Sequence, residues 1–103
     1  MIDEIFIALQ AKDVAANRLR SWEIEVGPDL FGVWVMTVRF GRIGTAGRAV
    51  GYHFASEEKM RSFVRAGLQR RRTAKRRIGV AYQVIAASPE AKPLLQAMGL
   101  ADS

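Results

Sequence analysis

Three glycines and two arginines fall within nine consecutive residues, Phe40-Gly-Arg42-Ile-Gly-Thr-Ala-Gly-Arg48, at the end of a hydrophobic run. Residues of these types can cradle a phosphate with backbone amides, grip it with guanidinium forks, or form a tight turn. A P-loop is excluded because no Gly-Lys-Ser/Thr closes the stretch, and the dinucleotide fingerprint would need a strand before it and a helix after it. Here alternating runs lie on both sides, so the spacing predicts a hairpin whose glycines supply positive φ. Arg42 and Arg48 flank that turn and could converge on one anionic group. The stretch therefore reads as a turn first and a phosphate contact second.

A second basic set lies further on. At 100° per residue Arg61, Arg65, Arg72 and Arg76 fall in one narrow helical sector, opposite or beside an apolar stripe. A solvated face is the plain alternative, but six of the eight residues from Arg70 to Arg77 are basic, and such a cluster repels itself unless it holds an anion. Arginine also suits bidentate phosphate contact better than lysine does. The net charge of +6 is concentrated in this part of the chain. Residues 1–38 carry three bases against six acids, whereas residues 39–77 carry twelve bases against two acids. A field of that kind attracts a polyanion.

Other chemistries find little to work with. There is no cysteine, which removes disulfides, thiolate metal sites and thiol nucleophiles and fits a reducing compartment. His53 is the sole histidine, with no acid at metal-ligand spacing, so it reads as a surface or structural residue. No Ser/His/Asp set stands out. Neither a cofactor, a metal nor an enzymatic activity is expected. The start, MIDEIFIALQAKD, has acids where a secretion signal has bases and is too short to span a bilayer. A cytoplasmic protein without a membrane partner is expected.

The elements that must position these residues follow from periodicity. Residues 5–9 read as a short apolar strand; Arg20–Val26 alternates with Trp22, Ile24 and Val26 on one face. Val33–Phe40 is the longest and most apolar strand, with Trp34, Met36, Val38 and Phe40 in phase, and Ala49–Phe54 alternates again. Period two then yields to 3.6: Ser56 is a plausible N-cap, Glu57 and Glu58 suit the first turn, and Met60, Phe63, Val64, Gly67 and Leu68 form the apolar stripe. Arg71 falls within that stripe, so the regular helix is expected to stop near residue 72. Residues 80–86 read as one more strand. The expected fold is α+β, an antiparallel sheet of four to five strands crossed by one amphipathic helix. A single domain is expected over residues 1–88, with a tail over 89–103 that holds at most a short helix because Pro93 interrupts it.

With these elements in place, Val38-Arg39-Phe40-Gly41-Arg42-Ile43-Gly44, Gly47, Phe54, the helix with Glu57-Glu58-Lys59 and Phe63, and the closing Gly79-Val80-Ala81-Tyr82 together resemble the WGR domain family. That family is named for a Trp-Gly-Arg triplet and occurs in poly(ADP-ribose) polymerases and in small bacterial proteins. The resemblance covers about residues 5–86. It implies a small antiparallel sheet crossed by one helix that contacts DNA at strand breaks and relays the contact to neighbouring domains. By position it implies that Phe40 packs against a terminal nucleotide and that Arg42 reaches the backbone or a partner domain, with Tyr82 near a terminal phosphate. Phe40 stands where the family has tryptophan, keeping a stacking face with less area and no indole N–H. These 103 residues leave no room for a polymerase domain beside this one, so catalysis is not expected to carry over.

Two functions are expected to compete. One is a nucleic-acid-binding module, with DNA favoured, using Phe40, Arg42, Arg48, Arg61, Arg65, Arg72, Arg76 and Tyr82. The other is a protein-interaction adaptor that docks an acidic partner through the sheet face or the hairpin. Composition leaves the oligomeric state open.

Overall fold

The structure is a computed structural model and describes residues 4–100. The first residues of the expected domain and the last three of the tail lie outside the described residues. The chain runs β1 (Ile5–Asp13), β2 (Arg18–Pro28), β3 (Trp34–Arg42), β4 (Arg48–Phe54), α1 (Glu57–Arg72), α2 (Ala74–Ile78), β5 (Tyr82–Ala87), a 3-10 turn at Pro89–Ala91 and α3 (Lys92–Ala97). All strand pairs are antiparallel and the sheet order is β4-β3-β2-β1-β5. The fold is α+β, a five-stranded antiparallel sheet with helices against it. Among the described residues no helix is long and apolar enough to cross a membrane.

Alternation decides which face of the sheet is covered. Ile5, Ile7 and Leu9 on β1, Trp22, Ile24 and Val26 on β2, and Met36 and Val38 on β3 share one face and are buried. Helix α1 lays Met60, Val64 and Leu68 on them. Ser56 caps this helix, its hydroxyl accepting from the Lys59 amide at 3.3 Å, and Glu57 and Glu58 sit in the first turn. Phe63 is not deep in the core; it stands at the sheet margin in a cluster with Tyr52 and Phe54, ring centroids 4.6 and 5.5 Å away. Helix α1 ends as expected at Arg72, but the chain then breaks only at Thr73 and resumes as α2. Gly79, with φ of 81°, closes α2, its amide donating to the Lys75 carbonyl at 3.0 Å.

The segment after residue 88 holds a short helix, as read from the sequence, and packs against the sheet. Ala91, Leu94, Leu95 and Leu100 are buried in the same core as the sheet and α1. Pro93 does not break this helix, because it falls in the first turn, where a missing amide costs nothing. Ser88 ties the segment to β1: its hydroxyl accepts from the Phe6 amide at 3.0 Å and donates to the Glu4 carbonyl at 3.2 Å. Helix α3 therefore shares the core of the sheet and α1. Leu95→Ala should accordingly cost about 2–5 kcal/mol of stability, the range for truncating a buried leucine. Urea unfolding measures it, and a loss below about 0.5 kcal/mol, typical of a surface change, would show α3 to be an appendage.

Candidate nucleic-acid interface

The glycine hairpin joins β3 to β4 at one end of the sheet. Its turn runs from Arg42 to Thr45, whose amide donates to the Arg42 carbonyl at 3.1 Å, with Gly44 at φ of 88° in the third position, as a type II turn requires. Just outside it the two strand ends come too close for side chains. A Cβ on Gly47 would lie 2.6 Å from the Phe40 carbonyl oxygen, and one on Gly41 would lie 2.8 Å from the Gly47 Cα. The glycines thus serve the backbone, and their role is to fix Phe40 and Arg42 at the end of β3.

Strand register places these two residues beside others. Phe40 is paired with Trp22 on β2 and with Arg48 on β4, so it does share the core face. Yet, unlike Trp22 beside it, Phe40 stays 39% exposed. One row further out, Arg42 pairs with Arg20, Arg20 with Ala11, and Ala11 with Tyr82. This row lies on the same face, and the small Ala11 leaves room between Arg20 and Tyr82. The result is a cleft of about 410 Å³ whose lining includes Phe40, Arg42, Arg18, Arg20, Arg71 and Tyr82.

Each arginine arrives from a different element. Arg42 donates through Nη2 to Asn17 Oδ1 at 2.7 Å, which draws it toward the β1–β2 turn. Asn17 occupies the left-handed region, φ 55°, as the last residue of that turn. Arg18 donates through Nη1 to the Ile78 carbonyl and thereby fastens β2 to the end of α2. Arg71 comes down from the last turn of α1, its guanidinium carbon 4.7 Å from the centre of the Trp22 ring. Burial lowers the Arg71 pKa from its ordinary value; Tyr82 beside it opposes that shift, and Arg70 and Arg77 add to it. A guanidinium nonetheless stays protonated, so the charge is retained in a partly dry setting. Among the described residues no acidic side chain lines the cleft. Among the described residues the one ion pair is Arg61 with Glu57, so none of the four cleft arginines has a carboxylate partner there. Guanidinium forks held together without counter-charge and flanked by two aromatic rings suit a phosphate bearing an adjacent base or sugar.

The residues singled out in the sequence divide. Phe40, Arg42 and Tyr82 come together. Arg48 sits on the edge strand β4 opposite Phe40, outside the cleft lining, whereas Arg42 is bonded to Asn17; the two do not converge. The four helical arginines do not form one ridge. Arg61 is bound to Glu57 at 2.7 Å, near the start of α1, and Arg65 is exposed. Arg72 reaches Gln69 at 3.4 Å, and Arg76 belongs to α2, beyond the interruption at Thr73. Arg18, Arg20 and Arg71 were not singled out. A signal for two of them existed: Arg20 is in phase with Trp22, Ile24 and Val26, and Arg71 with the helix stripe. An arginine in phase with the core at the end of an element marks where the core gives way to a cleft.

No curated protein matches the chain. The family model of the WGR domain matches residues 6–76, from β1 through α1 and into α2, which takes in every cleft residue named above except Tyr82. The matched range includes Phe40-Gly41-Arg42, and the chain belongs to the WGR domain family.

Proposed function

We propose that this domain binds nucleic acid, DNA in particular, by seating a terminal nucleotide in the arginine cleft. The observation that carries the reading is the lining itself: four arginines, two aromatic rings and, among the described residues, no acid. Arg20 and Arg42, neighbours in register, grip the phosphate. Arg71 adds charge from above and Arg18 from the side. Phe40 offers its exposed face to the terminal base, and Tyr82 contacts the sugar or phosphate from β5. The family supports the class of ligand, since WGR domains are generally nucleic-acid-binding modules. Arg48, Arg72 and Arg76 contribute a general attraction, and Arg61, held by Glu57, contributes least.

A separate observation favours a second reading, the protein-interaction adaptor. Leu30 and Phe31, at the tip of the β2–β3 loop, are 98% and 88% exposed. The loop is held firm by Asp29, whose Oδ1 accepts from the Phe31 and Val33 amides at 2.8 and 3.0 Å. A rigid apolar tip of this kind suits a protein pocket better than a phosphate backbone. Binding to nucleic acid at one end and to protein at the other are compatible.

Titrating duplex DNA against the protein at several salt concentrations tests the first reading. Four phosphate contacts would give a log–log slope of roughly −3.6, at about −0.9 per contact. Arg20→Ala with Arg42→Ala should reduce the slope by about two, whereas Arg61→Ala with Arg65→Ala should change it by less than about one. Equal effects from both pairs would reduce the cleft to ordinary basic surface. A flat salt response would leave the adaptor reading alone.

Phe40 provides the sharper test. Phe40→Ala should weaken binding to a linear duplex by about 1–3 kcal/mol, the scale of base–aromatic stacking, and affect a closed circle much less. Because Phe40 is only half covered, the fold should lose less than the about 3–5 kcal/mol typical of a buried phenylalanine. Phe40→Trp should keep end binding. Equal losses on linear and circular DNA, measured beside thermal unfolding, would remove Phe40 from the site.

A further inference from the structure

The cleft has a neighbour on the other face of the sheet. A groove of about 310 Å³ is lined by Gln10 and Lys12 of β1, Lys75 of α2, Gln83 and Ile85 of β5, and the link Gly79–Ala81. Gln10 and Gln83 are partners in register, and both line the groove. Among the described residues no acid lines this groove either. The two concavities share one wall, the chain from Ile78 to Tyr82. Tyr82 faces the cleft, while Ala81 and Gln83 on either side of it face the groove. Arg18 presses against the same wall, bonded to the Ile78 carbonyl and close enough that a Cβ on Gly79 would lie 3.1 Å from its Nη1. Beyond Lys75 the basic surface continues, because Lys75 also lines a shallow depression with Arg72 and Arg76. A chain of cations thus leads from the cleft, over the start of β5, to the opposite face.

We propose that this groove holds a single-stranded extension of the nucleic acid whose end occupies the cleft; the inference rests on that reading of the cleft. The track turns from one face of the sheet to the other around a single strand's edge. A duplex, with a persistence length of about 150 base pairs, is too stiff to follow such a turn. A single strand bends freely. The lining also differs from the cleft in kind. It holds no aromatic ring, so bases are not stacked there; Lys12 and Lys75 meet phosphates, and the amides of Gln10 and Gln83 offer both donors and acceptors to base edges. The class of ligand is therefore a duplex end with an overhang, or a flap.

The experiment uses the full chain and hairpin duplexes closed by a loop at one end, so that each has one free end. One is blunt; two others carry a four-nucleotide thymidine extension, on the 5′ or the 3′ strand. Fluorescence anisotropy across a salt series reads the affinities. The parent should bind one of the extended duplexes about fivefold or more tightly than the blunt one, with a slope steeper by about 1.4, from two lysines at about −0.7 per single-strand contact. Lys12→Ala with Lys75→Ala should abolish both the gain and the added slope, while blunt binding changes little. The charge-matched control, Lys59→Ala with Lys92→Ala, should keep the gain. All four lysines are exposed, so melting temperatures should agree across the set. The groove is overturned, with the cleft intact, if the blunt duplex binds but neither extension adds affinity. It is equally overturned if the gain survives loss of Lys12 and Lys75, or is lost with Lys59 and Lys92. Absence of binding to every duplex at low salt overturns the cleft reading and this one together.

Discussion

The contact of α1 with Trp22 determines where everything else can lie. Trp22 sits on β2, the middle strand of the sheet, 3% exposed, directly beneath the helix. Gly67 lets the helix come down onto it: a Cβ at that position would lie 3.0 Å from the edge of the indole. A glycine inside a helix costs about 1 kcal/mol relative to alanine, and close approach to a large ring is a physical reason to accept that cost. One turn later Arg71 covers the same ring, and the helix ends at the next residue. The sheet continues past that point, and its core face, no longer roofed, becomes the floor of the cleft.

The same arrangement explains why the floor is charged. Residues in phase with a core face are apolar while something covers them. Beyond the helix end, Arg18, Arg20 and Arg42 occupy the same phase in contact with water, where their stems can lie on apolar neighbours and their heads remain solvated. At the opposite end of the sheet the balance reverses. Glu25, Asp29 and Glu4, which lies against Gly27, gather there with Glu57 and Glu58 at the helix start, against Lys59 and the already paired Arg61. The helix dipole has the same sense, since acids occupy its first turn and bases its last. An approaching polyanion therefore meets a molecule that presents one end to it.

Much of this was legible in the residues. Alternation located three of the five strands to within a few positions at their ends. A short apolar run marked part of β1 and residues 80–86 overlapped β5, and the 3.6-residue stripe began where Ser56 and the two acids start the helix. The glycines of the hairpin identified a turn, and Phe40 and Arg42 were picked out with it. What the residues hid was either non-local or depended on an end. The leucines of α3 are too few to show a period, and their burial depends on α1 and on the far more distant β1, at the other end of the described chain. Arg76 looked continuous with Arg61 because periodicity carries through Thr73 on paper and is interrupted in space. Arg18 and Arg71 meet across elements more than 50 residues apart, and only the folded sheet brings them to one cleft.

The placement of Arg71 also gives the protein an optical property. A full positive charge 4.7 Å above an indole shifts the energy of its electronic transitions, because ground and excited states differ in how their charge is distributed. Trp22 therefore carries in its emission a record of where the Arg71 guanidinium stands and what neutralises it. The other tryptophan, Trp34, pairs with Phe54 at the far end of the sheet and is remote from that charge. The chain contains, without any added label, one chromophore beneath its cleft and a second that serves as the reference.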